Sequence, residues 1–103
     1  MNITLHNEHL TVVLSTLGAE VQSMKTASGT ELIWQADPAI WGRHAPLLFP
    51  IIGRLKDQSY TLNGKAVSIS QHGFARDTEF TVERQSDTSV TLSMGDSEAT
   101  RAV

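Results

Sequence analysis

Two residues of this sequence have side chains suited to binding a ligand, Arg54 and His72. Arg54 follows Gly53 at the end of the apolar run 47–52, and a guanidinium offers five donors in a rigid plane that suits vicinal hydroxyls or a carboxylate. His72 precedes Gly73, which lets the backbone bend or approach a ligand closely. A histidine can act as an acid, a base or a hydrogen-bonding partner near neutral pH. Together the two residues favour recognition of a neutral, hydroxyl-rich ligand.

Each candidate also has a purely structural interpretation. A surface arginine can pair with a nearby carboxylate, and for Arg54 this pairing with Asp57 is the stronger interpretation from spacing alone, because Gly-Arg is a weak motif. For His72, packing beside an aromatic residue and ligand binding are evenly matched. Trp34 and Trp41 could stack on a sugar ring, but tryptophan more often packs in a core or at its rim.

Three further residues near these motifs carry weaker expectations. His44 could line the same cleft as His72, although support of its own loop is the stronger interpretation. Arg76 and Asp77 are adjacent, and we expect them to form a local ion pair.

A β-hairpin is predicted between the two candidate binding residues. Asn63-Gly64 is typical of a type I′ turn, because both central residues of that turn need a positive φ. A two-residue loop there places Leu62 opposite Lys65. It also places Tyr60 opposite Val67, an aromatic and β-branched cross-strand pair. One tight turn therefore brings the two candidates towards each other.

The rest of the pattern also predicts short strands. Including the hairpin, strands are predicted at 10–14, 19–25, 31–34, 60–62, 66–69, 80–83 and 90–94. A helical turn is predicted at 37–41, with Asp37 as N-cap and Pro38 at the first helical position. We expect 88–94 to be an unprotected edge, and exposed edge strands offer a route to homo-oligomers. The fold class that follows is all-β, an antiparallel β-sandwich.

Composition narrows the class of protein. At 103 residues the chain has the size of one small domain, and we expect residues 1–103 to form a single β domain. Its 40% hydrophobic and 18% charged residues are typical of an ordinary folded sequence. The net charge of -3 and the scattered lysines and arginines argue against binding to nucleic acid.

Several chemistries lack the residues they need. The absence of cysteine excludes disulfides, thiolate catalysis and a cysteine-type zinc site. The four histidines lack metal-ligand spacing, and no nucleotide-binding motif is present, so we expect neither a metal nor a cofactor. The first residues do not form a signal peptide and no apolar stretch would cross a bilayer, so we expect a cytoplasmic protein without a membrane partner.

Three motifs give the sequence a family resemblance. They are WGRHAPLLFP at 41–50, GRLKD at 53–57 and QHGFARD at 71–77. With them the chain resembles the aldose 1-epimerase (galactose mutarotase-like) family, most closely its LacX-type bacterial branch. The resemblance covers essentially the whole chain, and it is the N-terminal part of the family pattern.

The resemblance implies a large twisted β-sandwich that binds a free hexose and interconverts its α and β anomers without a cofactor. It assigns Arg54 to contact with the sugar and His72 to the lining of the site. Gly53 stands where the family has Asn, and His72-Gly73-Phe74 replaces the His-Gly-Gly of the galactose enzymes. These departures leave the identity of the sugar open.

Mutarotation also needs an acid and a base, which act on the ring oxygen and the anomeric hydroxyl. In the family these groups are a histidine in a later His-Pro segment and a glutamate near the far end of a longer chain, so both are expected beyond Val103. We therefore expect no catalytic residue within this chain, and no activity from it alone. The alternatives are a sandwich that binds a sugar or a sugar phosphate, with Arg54, Lys56 and Arg76 as phosphate ligands, and a non-catalytic structural fragment.

Overall fold

The computed structural model describes all residues from Met1 to Val103, and its regular structure is almost entirely β-strand. The strands are β1 (Asn2–His6), β2 (Leu10–Ser15), β3 (Glu20–Thr26), β4 (Ser59–Leu62), β5 (Lys65–Ser68), β6 (Thr81–Gln85) and β7 (Val90–Ser93). A turn that contains left-handed residues lies at Lys56–Gln58, a 3₁₀ turn lies at Ala75–Asp77, and one short helix, α1, spans Glu98–Arg101. Every strand pairing is antiparallel, which confirms the expected all-β antiparallel class.

The strands form one sheet of three, in the order β1-β2-β3, and two hairpins, β4-β5 and β6-β7. In the three-stranded sheet Ile3 lies opposite Leu14, and both side chains are buried. The side chain of Asn7 accepts hydrogen bonds from the backbone N–H groups of His9 and Leu10, which closes the turn between β1 and β2. β1 was not predicted, because only Ile3 and Leu5 carry its apolar alternation.

The β4-β5 hairpin has the predicted register. Leu62 lies opposite Lys65 and Tyr60 opposite Val67. Asn63 and Gly64 have φ values of 52° and 77°, so both central residues of the turn adopt the positive φ that a type I′ turn requires. β7 pairs only with β6, as expected for an edge strand.

One predicted strand differs from the structure. Residues 31–34 make only one isolated bridge, between Glu31 and Lys25, because the Glu31 carboxylate accepts the N–H of Met24, the donor on β3 that a longer ladder would use. Residues 37–41 form a single hydrogen-bonded turn, as predicted.

That turn keeps the predicted role of Asp37. The Asp37 side chain accepts from the N–H of Ala39 at 2.9 Å, and its carbonyl accepts from Ile40 and Trp41. At the other end of the chain, where no regular structure was predicted, Ser97 and Thr100 form a capping box that begins α1.

The elements form a thin layer with much apolar surface. The accessible surface is 7116 Å², against about 5,700 Å² for a folded monomer of this mass. The radius of gyration is 16.5 Å, against about 13 Å for a domain of this length. Large apolar side chains are exposed throughout the segment before β4: Leu32, Trp34, Ile40, Trp41, Leu47, Leu48, Phe49 and Ile52. None of the helices is long and apolar enough to cross a membrane.

Candidate functional site

Two loops bring the backbone of Arg54 next to His72. The first loop, 49–53, lies against the second, 70–75, through a parallel bridge between Phe49 and Gly73. The carbonyl of Phe49 accepts from the N–H groups of Phe74 and Ala75, at 3.0 and 3.2 Å. The N–H of His72 donates to the carbonyl of Gly53 at 2.8 Å, and Gly53 directly precedes Arg54. Backbone hydrogen bonds between the two loops therefore hold His72 next to the residue that precedes Arg54.

Gly73 makes the close approach of the loops possible. Its φ is 74°, and a Cβ there would overlap the carbonyl oxygen of Phe49 and lie 2.7 Å from Cδ of Pro50. The rings of Phe49 and Phe74 meet edge to face, with centroids 6.2 Å apart. The two rings are among the residues that line a mainly apolar pocket of about 360 Å³. Only glycine fits at position 73, and the aromatic pair supports the loops from one side.

Arg54 is exposed and lines a cleft of about 670 Å³. The other lining residues are Asp57, Gln58, Ser68, Ile69 and Ser70. Five of the six lining residues are polar, and they present hydroxyl, amide, carboxylate and guanidinium groups. Arg54 takes part in none of the four ion pairs of the structure, so the expected pairing with Asp57 is wrong. This composition suits a ligand rich in hydroxyl groups.

The residues that line this cleft beside Arg54 were not predicted from the sequence. Asp57 and Gln58 have φ values of 55° and 52°, in the left-handed region that few non-glycine residues adopt. Ser68 and Ser70 are two residues apart at the end of β5, a spacing that places side chains on one face of a strand. That spacing was the available signal in the sequence.

His72 is half-buried beside the Arg54 loop rather than in the lining of the cleft. Its Nδ1 accepts a hydrogen bond of 2.9 Å from the N–H of Gly53. Its Nε2 lies 3.4 Å from the side-chain amide nitrogen of Gln71. The imidazole is therefore held from one side by backbone and touched from the other by an exposed side chain.

The expected ion pair between Arg76 and Asp77 is wrong. Asp77 instead pairs with Arg43 at 3.0 Å, and Arg76 donates through Nη2 to the carbonyl of Gln71 at 3.1 Å. Both residues belong to the 3₁₀ turn Ala75–Asp77, in which consecutive side chains point about 120° apart. The Nε of Arg76 is buried without a partner.

His44 lies in a second cleft, of about 500 Å³, and not with His72. Its Nδ1 is 3.4 Å from a carboxylate oxygen of Glu20, and both side chains are mostly buried. This contact ties the 42–46 segment to β3 and favours the structural interpretation of His44. Trp34 and Trp41 line neither cleft; Nε1 of Trp34 donates to the carbonyl of Trp41 at 2.8 Å.

One carboxylate has a strongly altered acidity, and it lies outside both clefts. The pKa of Glu31 is lowered to about 2, first by the hydrogen bond from the Ser23 hydroxyl and then by the N–H of Met24. No group of three or more histidine and carboxylate side chains lies close enough to hold a metal ion.

Comparison with known sequences gives one family. The sequence pattern of the family described as aldose 1-epimerase matches residues 1–101. Two proteins called LacX from Lactococcus lactis subsp. lactis, one plasmid-borne and one chromosomal, are 42% and 43% identical over 99 residues. Each alignment covers 91% of this chain and 33% of the relative. The chain thus spans about a third of the length of these relatives.

Solved structures give the same result. A galactose mutarotase related enzyme from Lactobacillus acidophilus is 51% identical, with a TM-score of 0.97, over 100% of this chain and 35% of its own. A galactose mutarotase-like protein from Lactobacillus casei is 39% identical, with a TM-score of 0.92, over 95% of this chain and 34% of its own. The conformation described above therefore occurs within larger folds of this kind.

Proposed function

Because the chain belongs to the aldose 1-epimerase family, we propose that it forms part of the hexose-binding site of a mutarotase, with Arg54 and His72 as sugar-binding residues. The observation that supports this best is the contact between the loops. Gly53 bonds to His72 through its N–H and its carbonyl, and Arg54 follows it on the edge of a polar cleft. We propose that residues 1–103 act as one β unit of this larger site.

The chemistry of the cleft suits a pyranose. Arg54 has no carboxylate partner, so its donors are available to vicinal hydroxyls. Ser68, Ser70 and Gln58 offer neutral groups that can both donate and accept, as sugar hydroxyls do. A guanidinium beside neutral polar groups and the Asp57 carboxylate can orient a sugar without requiring the ligand to be charged.

The reaction itself needs more than binding. Opening and reclosing the sugar ring requires a base at the anomeric hydroxyl and an acid at the ring oxygen. From the family resemblance we expect both groups in the part of the longer chains that lies beyond the residues matched here. We therefore assign Arg54 and His72 to binding and orientation, and the isomerase activity to the whole protein.

A sugar phosphate is the second candidate ligand, because Arg54 is an unpaired cation and Lys56 follows two residues later. Arg76 does not join them, since it bonds to Gln71 and lines the second cleft. Equal affinity for glucose and glucose 6-phosphate would argue against a phosphate ligand. A clear preference for the phosphorylated sugar would favour it.

Calorimetric titration of glucose and galactose tests the binding role. Arg54→Ala should weaken binding roughly 10- to 100-fold, the effect expected from losing hydrogen bonds to a charged group. Arg84→Ala is the matched control, because Arg84 is an exposed arginine on β6 outside both clefts. Equal affinities of the two variants would contradict the proposal.

A further inference from the structure

We infer that the backbone N–H of Gly53 fixes His72 in the tautomer that carries its proton on Nε2. His72 is then a hydrogen-bond donor to an oxygen of the ligand and not a base. The identity of the ligand rests on the proposed function, whereas the tautomer follows from the geometry of the two loops. Gly53 is in this account a positioning residue, which acts on the ligand through His72.

Two hydrogen bonds join the same pair of residues in opposite senses. The N–H of Gly53 donates to Nδ1 of His72 at 2.9 Å, and the N–H of His72 donates to the carbonyl of Gly53 at 2.8 Å. A backbone N–H is always a donor, so Nδ1 must be the unprotonated, accepting nitrogen. A neutral imidazole with a free lone pair on Nδ1 carries its proton on Nε2.

The neighbouring Gln71 must adapt to this assignment. Its amide group lies 3.4 Å from Nε2, and if its NH₂ pointed at the ring, both ring nitrogens would have to accept. A neutral imidazole cannot do so, whereas a glutamine amide can turn by half a rotation. The Gln71 oxygen therefore faces the Nε2–H. Because this contact is long and Gln71 is exposed, a ligand oxygen can replace it.

The backbone conformation of both residues supports the arrangement. Gly53 has a φ of 84° and His72 a φ of 64°. Both lie in the left-handed region, where glycine is unstrained and where histidine, asparagine and aspartate are enriched. No atom lies within 4 Å of where a Cβ of residue 53 would be. Glycine at position 53 thus allows the backbone conformation that directs its N–H towards His72, and it is not required by close packing.

The assignment limits what His72 can do. Its Nδ1 lone pair is used by Gly53 and its Nε2 already holds a proton, so neither nitrogen is free to take a proton from a sugar hydroxyl. What remains is one N–H directed away from the loop core. It selects for an acceptor, such as a ring oxygen or a hydroxyl lone pair, and a deoxy sugar that lacks that oxygen should bind more weakly.

NMR on the ¹⁵N-labelled protein tests the tautomer directly. At about pH 8, well above the ordinary range of histidine titration, we expect a scalar coupling across the hydrogen bond between the Gly53 nitrogen and Nδ1 of His72. The only ring proton should be on Nε2. Exposed His6, which has no side-chain hydrogen bond, should show no such coupling. A proton on Nδ1 of His72 would overturn the inference.

Two isosteric variants separate the two faces of the ring. His72→Asn keeps an acceptor near the Nδ1 position and loses the outward donor, so it should keep the melting temperature and bind hexose about 2- to 10-fold more weakly. His72→Gln keeps an outward N–H and loses the acceptor for Gly53, so the Gly53 amide should exchange faster with solvent. Unchanged hexose affinity in His72→Asn would overturn the donor role.

The outcomes also separate this inference from the proposed function. A protein that shows the nitrogen–nitrogen coupling but binds no hexose would overturn the proposed function and keep the tautomer. A protein that binds hexose but carries the proton on Nδ1 would overturn the tautomer and keep the proposed function.

Discussion

The three-stranded sheet and the two site loops are ordered by different physical means. In the sheet, β1, β2 and β3 satisfy their backbone groups in regular ladders, and Ile3 and Leu14 are buried between strands. In the loops, irregular backbone hydrogen bonds and residues with left-handed φ values satisfy these groups. Two of the loops' large apolar side chains remain open, Phe49 at 55% and Ile52 at 82% exposed, although Ala75 is buried. The sheet supplies stability, whereas the loops supply the geometry of the candidate site.

Hydrogen bonds of Thr16 connect the two regions. This residue is 1% exposed, and its side chain bonds to Met1 and Glu79. The carbonyl of Thr16 accepts a hydrogen bond from the N–H of Phe80. The N–H of Gly18 donates to the carbonyl of Thr78. The 75–80 segment is thus attached to the sheet just after the His72 loop. Changes within each region should accordingly separate stability from site geometry.

The largest loss of stability is expected from the sheet. Leu14→Ala removes a buried side chain from β2 and should lower the free energy of unfolding by about 2–5 kcal/mol. Chemical denaturation measures this change. Leu62→Ala, at a leucine that is 58% exposed, should cost much less. Equal losses would contradict the stabilising role of burial in the sheet.

The next largest effect should come from the loops. Gly73→Ala forces a Cβ against Phe49 and Pro50 at a φ of 74°, and should cost about 1–3 kcal/mol for strain alone. It should also shift the backbone resonances of Gly53 and Arg54 more than those of β2. Gly95→Ala, where no neighbouring atom lies within 4 Å, is the control and should be nearly neutral. A Gly73→Ala protein with undisturbed loop resonances would contradict the geometric role of the loops.

A smaller effect should appear in the pH dependence of the sheet. The pKa of Glu31 is lowered from 4.5 to about 2, chiefly by the Ser23 hydroxyl, so the folded state favours the carboxylate. The stabilisation that the Glu31 carboxylate provides is complete above about pH 4.5 and is lost as the pH falls through about 2. The melting temperature of the native protein should therefore fall as the pH is lowered through this range.

Glu31→Gln should lower the melting temperature at neutral pH and remove part of that decline. Glu8→Gln, at an exposed carboxylate between β1 and β2, is the control and should leave the slope unchanged. A native decline that persists in full in Glu31→Gln would show that other carboxylates cause it.

Local signals in the sequence predicted the local parts of this fold. Asn63-Gly64 specifies its own turn, and through it the register of β4 and β5. Prediction failed where the local structure depends on contacts with residues elsewhere in the chain. Asp77 pairs with Arg43, 34 residues away, and the Glu31 carboxylate accepts the N–H of Met24, which a longer strand would use.

The candidate site divides in the same way. Sequence motifs led to Arg54 and His72, and the hairpin between them predicted that they approach each other. The cleft beside Arg54 was missed, because it depends on left-handed residues at 57 and 58. The N–H of Gly53 was also missed, because a backbone donor carries no signal in a pattern of side chains.

One ¹H NMR time course tests the central claim most directly. The chain Met1–Val103 is mixed with freshly dissolved α-glucose or α-galactose, and the anomeric signals and saturation transfer to the sugar are followed together. We predict saturation transfer that is reduced in Arg54→Ala, with anomers that interconvert at the rate of buffer. A positioned acid or base contributes roughly 10²–10⁴-fold to a rate, so catalysis would be plainly visible. Acceleration well above buffer that is lost in His72→Ala would contradict the account.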